Sequence, residues 1–190
     1  MTGKLSIKSV LWILVLIVAA FSASYGLQKY AVSTKPDKAS TPNDISQYKS
    51  WTLVNPTPVK MEFAVAQLCA AMGPHNPHRN KFISVYVNEI GKQAMTTQLT
   101  PTFPQGSVIV KEKLDSVESQ SPELLTAMVK REKGYNPKSG DWQYLVLDGT
   151  ASNVKKSGKL AECSSCHVAY QSTDYVTRTY LSDEARRQLK

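Results

Sequence analysis

The sequence predicts an α+β domain: an antiparallel β-sheet with a few helices, preceded by an N-terminal signal peptide or membrane anchor. Three observations predict it. Short segments rich in β-branched and aromatic residues recur along the chain, bounded by Gly, Pro and Asn turn signals. Helix signals are few and fall between and after those segments. An unbroken apolar run begins at Val10, directly after Lys4 and Lys8.

The run Val-Leu-Trp-Ile-Leu-Val-Leu-Ile-Val-Ala-Ala-Phe ends at Phe21 and is followed by Ser22-Ala23-Ser24. A positive start, an apolar stretch and small residues make the plan of a secretory signal peptide. The run is short for a spanning helix, which needs about 20 apolar residues. Tyr25-Gly26-Leu27 can extend it, so residues 1–27 are read as a cleaved signal peptide or a retained anchor. Either way the rest of the chain is expected outside the cytoplasm, periplasmic, and in the second case tethered to the inner membrane. Residues 28–44, with Lys35-Pro36-Asp37-Lys38 and Thr41-Pro42-Asn43, form a polar linker. The folded domain is expected over 45–190.

Within the domain, Trp51-Thr52-Leu53-Val54 is a short strand ending at Pro56, and 82–87 (Phe-Ile-Ser-Val-Tyr-Val) is a second. A third covers 107–113, after the turn Phe103-Pro104-Gln105-Gly106. A fourth covers 141–149, bounded by glycines. Segment 123–130 is ambiguous, because Ser121-Pro122-Glu123 resembles a helix start. The connection Asn136-Pro137-Lys138-Ser139-Gly140 instead favours a strand over 126–131, pairing with the one that holds Trp142. Helices are expected over 59–70, around 88–95, at residues 163–167 and at the C-terminus, where Ser182-Asp183-Glu184 supplies a cap and an acidic first turn.

The 190 residues are 42% hydrophobic and 8% aromatic, enough to build a core and contrary to a disordered chain. The formal charge is +8, of which Lys4 and Lys8 carry +2 within residues 1–27, leaving +6 on the rest. A mild basic bias suits an acidic redox partner. No basic stripe interleaved with aromatics is present, so no nucleic acid is expected as a partner.

Chemistry concentrates in Cys163-Ser164-Ser165-Cys166-His167. Two cysteines three apart with a histidine directly after form the motif of covalent c-type haem attachment. Cys163 and Cys166 would bind one haem c through thioethers, and His167 would be the proximal ligand of its iron. Export agrees with this, since bacteria attach haem outside the cytoplasm.

Several further stretches carry a family resemblance: Val85-Tyr86-Val87, Phe103-Pro104-Gln105-Gly106-Ser107-Val108-Ile109-Val110-Lys111-Glu112, Gly140-Asp141-Trp142, the haem motif, and Thr173-Asp174-Tyr175-Val176. In identity, order and spacing the region from Ile45 to Leu181 resembles the cytochrome P-460 family, which includes the cytochromes c′-β. The resemblance implies a mainly antiparallel β-sheet cytochrome, usually a homodimer, with a five-coordinate haem open on its distal side. In the P-460 enzymes a lysine is cross-linked to the porphyrin, and hydroxylamine is oxidised with nitric oxide as second reactant or intermediate. The c′-β members lack the cross-link and bind nitric oxide in an apolar pocket.

Lys111 falls on the cross-linking position, although its strand pattern alone reads as a solvated strand-end lysine sharing a face with Ser107, Ile109 and Lys113. Ile83 stands where the enzymes can carry a distal arginine, and Thr126 where they carry a proton-transferring carboxylate. Phe103 has a family counterpart close to the haem. Ile83, Phe103 and Thr126 therefore describe an apolar distal pocket, in which Thr126 donates a hydrogen bond but is no base near neutral pH. Glu112 or Glu123 is an alternative base. The expected function is action on small nitrogen species, by hydroxylamine oxidation, nitric oxide binding or both, with a soluble or membrane redox partner.

Two other readings stand beside it. A methionine (Met61, Met72, Met95 or Met128) or His75 or His78 as sixth ligand would make a simple electron-transfer cytochrome, although core packing suffices to explain the methionines. A haem-free thiol–disulfide protein would need a thioredoxin-like βαβ pattern, which the sequence lacks. Cys69, with His75 and His78 on a Gly/Pro-rich loop, reads as a structural cysteine rather than a metal ligand. Trp142 and Tyr144 are expected as core or interface aromatics.

Overall fold

The computed structural model of the chain describes residues 45–61 and 81–190. The expectations for residues 1–44, most of the 59–70 helix, and Cys69, Met72, His75 and His78 lie outside the described residues.

The strands are β1 (Thr52–Leu53), β2 (Val59–Lys60), β3 (Phe82–Val87), β4 (Val108–Leu114), β5 (Leu124–Lys130), β6 (Trp142–Asp148) and β7 (Val154–Gly158). They form a seven-stranded sheet in the order β1-β3-β4-β5-β6-β7, with β2 also paired to β3. Every pairing is antiparallel. Among the described residues three α-helices accompany the sheet: α1 (Glu89–Thr96), α2 (Ala161–His167) and α3 (Asp183–Arg187). The predicted α+β class is the observed one, and 124–130 is a strand rather than a helix.

Two elements differ from the sequence reading. Val59 and Lys60 are strand, not helix, and pair with Ile83 and Phe82. Pro56 and Pro58 lack N–H donors and favour extended chain before them, so the segment serves as the outer edge of β3. Asn55 fastens the connection between β1 and β2 to β3: its side-chain nitrogen donates to Ile83 O at 2.8 Å and its oxygen accepts from Val85 N at 2.7 Å. Strand β7 was not expected. Its sequence, Val-Lys-Lys-Ser-Gly, does not alternate, because an exposed edge strand has no buried face and carries lysines against edge pairing.

Asn88 joins α1 to the sheet. Its side-chain oxygen caps the helix by accepting from Gly91 N at 3.1 Å and also accepts from Val108 N at 3.0 Å. Its amide nitrogen donates to Gly106 O at 2.9 Å. Ser182 caps α3 by accepting from Ala185 N. Among the described residues no helix is long and apolar enough to cross a membrane.

Each sheet face has its own core. On one, Val108, Val110, Leu125, Ala127, Val129, Leu145 and Leu147 pack against Ile45 and Tyr48. On the other, Ile83, Val85, Val87, Ile109, Met128, Trp142 and Tyr144 pack with Phe103, Met95, Tyr175, Val176, Tyr180 and Leu181. Cys163 and Leu160 lie against this second core, which places α2 over that face.

Candidate haem site

The site begins with α2. Residues three and four apart share a helix face, so Cys163, Cys166 and His167 project together. Cys166 is buried and Cys163 half-buried. Burial pushes the Cys163 thiol up to about 11, with the Glu162 carboxylate adding to the rise and the charges of Lys113, Lys111 and Lys156 opposing it.

His167 is held in one tautomer. Its Nδ1 lies 2.7 Å from the Tyr175 carbonyl oxygen, which can only accept, so Nδ1 carries the proton. Nε2 is left with a lone pair, the form in which imidazole binds a metal. The ring is tilted against Tyr144, with centroids 5.3 Å apart. An edge of His167 reaches the surface, yet most of its surroundings are protein. Desolvation drops its pKa to about 4, the Tyr175 hydrogen bond opposing and the Lys111 charge reinforcing the drop. The imidazole is therefore neutral at physiological pH.

The floor of the site is the sheet. Directly opposed residues share a face, and one row runs Val85, Lys111, Thr126, Val146 and Lys156. A neighbouring row runs Val87, Ile109, Met128 and Tyr144, and the one on the other side contains Ile83, Lys113 and Leu124. Tyr144 touches His167, so Lys111, Thr126 and Ile83 lie on the face that also receives the histidine. The Lys111 charge acts on both His167 and Cys163. Lys111, Thr126 and Val146 are half-buried in the middle of a face whose flanking rows are largely buried. Lys111 and Lys113 lie inside the sheet, not at a solvated strand end: Lys113 is only 1% exposed.

Of the predicted pocket residues, Ile83 and Thr126 occupy the Lys111 row and the row beside it. Phe103 packs in the same core as Ile83 and Tyr144 but further along the face. It packs edge-on against Trp142 at 5.5 Å, and Trp142 is two rows along β6 from Val146. Its backbone nitrogen donates to Asp174 at 2.8 Å, which ties it to the turn that follows α2. Neither alternative base shares the site. Glu112 alternates to the opposite face and accepts from Tyr48 Oη at 2.5 Å. Glu123 precedes β5 and pairs with Lys81 at the periphery.

The methionines within the described residues are core groups. Met61, Met95 and Met128 belong to the large cluster, and Met95 Sδ accepts from Tyr180 Oη at 3.7 Å. Among the described residues no cluster of three or more His, Cys, Asp and Glu side chains forms a bare metal site. Two thiols, a neutral imidazole with Nε2 available and a half-buried floor between buried rows are instead a set that fits a haem.

Sequence reasoning missed Tyr144 as the ring packed on His167, and it missed Tyr175, Asp174 and Lys130. Lys130 and Asp174 are far apart in the chain, and no local pattern joins them. Asp174-Tyr175 stood within a resembling motif, which was the one available signal.

No curated protein matches the chain. A family model described as Cytochrome P460 matches residues 45–178, a stretch that contains the whole sheet, α2 and the turn carrying Asp174 and Tyr175. With a neutral histidine, two adjacent thiols and Lys111 gathered on one sheet face inside that match, the chain belongs to the cytochrome P460 family and is a haem protein.

Proposed function

We propose that this chain is an exported monohaem c-type cytochrome that acts on small nitrogen species, by binding nitric oxide and, at a Lys111-modified haem, by oxidising hydroxylamine. The observation that carries the reading is the common face of Lys111 and His167: an amine on the sheet floor and a neutral imidazole within its electrostatic reach. Had they been on opposite faces, a lysine-modified haem would be impossible.

Cys163 and Cys166 would each add sulfur and hydrogen across one vinyl group, leaving a thioether and no leaving group. His167 Nε2 would hold the iron from the proximal side. When bound, the haem would supply an iron able to take a small nitrogen ligand. On the sheet face shared with Lys111, Ile83 would exclude water and the Thr126 hydroxyl would donate a hydrogen bond without taking a proton. These residues favour a neutral diatomic. Hydroxylamine oxidation releases protons, and a positioned base would speed it. The chain is expected in the periplasm as a homodimer, delivering electrons to a soluble or membrane partner that its basic charge would help to attract.

The test is the ferrous visible spectrum of the exported protein beside that of Lys111→Ala. A shifted Soret band in the variant, with covalent haem retained, supports the modified haem. Identical spectra eliminate it and leave nitric oxide binding. A low-spin spectrum indifferent to nitric oxide and carbon monoxide eliminates the whole reading in favour of a six-coordinate electron carrier.

A further inference from the structure

Asp174 and Tyr175 are consecutive non-glycine residues with left-handed backbone, at φ 54° and 64°. That conformation is disfavoured for L-residues, and two in succession persist only where the surroundings fix them. The fixing groups converge on Asp174. Both carboxylate oxygens take Lys130 Nζ at 2.6 Å. One also accepts Phe103 N at 2.8 Å, and the Asp174 carbonyl accepts Trp142 Nε1 at 2.8 Å. Lys130 and Asp174 side chains are each only 13% exposed, and Lys130 Nζ also stands 5.0 Å over the Trp142 ring.

The next residue contributes the carbonyl that accepts from His167 Nδ1. The Tyr175 ring is confined as well: a Cβ on Gly140 would stand 2.4 Å from it. The backbone between the ion pair and the histidine is therefore one residue long and anchored at both ends.

We propose that Asp174, clamped by Lys130, is a positioning residue for the proximal ligand: it holds the Tyr175 carbonyl at hydrogen-bonding distance from His167 and so sets the electron donation of the imidazole to iron. A strong Nδ1–H···O bond makes the imidazole a better donor, which strengthens the iron–histidine bond and favours the ferric state. This rests on the reading of His167 as the proximal ligand.

The experiment compares wild type with Asp174→Asn, Lys130→Gln and Lys130→Arg, each exported and loaded with haem. The readouts are the ferrous iron–histidine stretching band by resonance Raman and the midpoint potential. Asp174→Asn and Lys130→Gln are expected to lower the stretching frequency and raise the potential, and a variant carrying both changes is expected to do no more than the larger single change. Lys130→Arg is expected to stay near wild type. Unchanged frequency and potential in both Asp174→Asn and Lys130→Gln would overturn the inference. Lys130→Gln leaves the Asp174 backbone contacts intact, so it decides the matter if the Asp174 variant does not accumulate. A pyridine haemochrome of the wild type separates the two levels: without covalent haem the underlying reading fails, whereas haem with indifferent variants sinks the clamp alone.

Discussion

Lys111 on β4 and Thr126 on β5 stand directly opposite one another, on the sheet face against which His167 packs. Opposed side chains on neighbouring strands reach each other. A carboxylate at position 126 would therefore lie beside the Lys111 amine, where the present hydroxyl cannot take a proton. Thr126→Glu is expected to raise hydroxylamine oxidation about 10²-fold or more, the usual size of a general-base contribution. Initial rates with an electron acceptor, compared with Thr126→Gln, check this. Equal rates in the two variants would show that proton transfer at this position does not limit turnover.

Asn88 satisfies two backbone donors and one acceptor with a single buried side chain, tying α1 to β4. Asn88→Ala leaves these groups without that partner and removes a helix cap. The expected loss is about 2–3 kcal/mol, read as a lower urea midpoint at an unchanged slope.

Much of this fold was legible because buried strands announce themselves. Phe82–Val87 alternates and is β-branched, and its bounds match the expectation residue for residue. Strand β7 was not legible, because an exposed edge needs no apolar face. Residues 59–60 misled because Val59-Lys60, directly after Pro58, takes its form from the β3 edge it pairs with, a tertiary cause. Cys163, Cys166 and His167 are adjacent in sequence, and spacing alone proposes them as a haem site; the structure sets all three on one short helix. Lys130, Tyr144 and Asp174 were not legible: the sheet carries Tyr144 to His167, and Lys130 reaches Asp174 beside the Tyr175 carbonyl that binds the histidine.

Gly149 is required by space rather than by backbone angle. A Cβ there would stand 1.8 Å from the Pro122 carbonyl oxygen, which is backbone and cannot swing aside. Gly149→Ala is expected to cost about 3 kcal/mol or more through displacement of the chain leading into β5. Gly134 has nothing within 4 Å of its would-be Cβ but a φ of +94°. Gly134→Ala should cost only about 1–2 kcal/mol, from conformation alone. Thermal melts of the two variants distinguish spatial from angular demand.

Asp148 gathers the turn between β6 and β7. Its carboxylate accepts from Asn153 Nδ2, Thr150 Oγ1 and the backbone nitrogens of Thr150 and Ser152. The Asn153 hydrogen bond, seconded by the others, lowers its pKa from 3.8 to about 2. A carboxylate with a depressed folded pKa stabilises the fold above its unfolded pKa, and that contribution is lost as pH falls through the folded value. Part of the wild type's acid destabilisation should thus fall between pH about 4 and about 2. Asp148→Asn should flatten the denaturant midpoint over that window, and equal slopes would contradict the assignment.

The haem function proposed for this chain requires that Cys163 and Cys166 hold one haem whose iron is bound by His167. The most direct measurement is the intact mass of the exported protein after acid–acetone extraction, with its pyridine haemochrome. The expected result is the mass of one haem retained, a haemochrome typical of two thioethers, and loss of both in the Cys163→Ser, Cys166→Ser double variant. A protein whose mass equals that of the bare polypeptide, with all haem in the acetone layer, would contradict it.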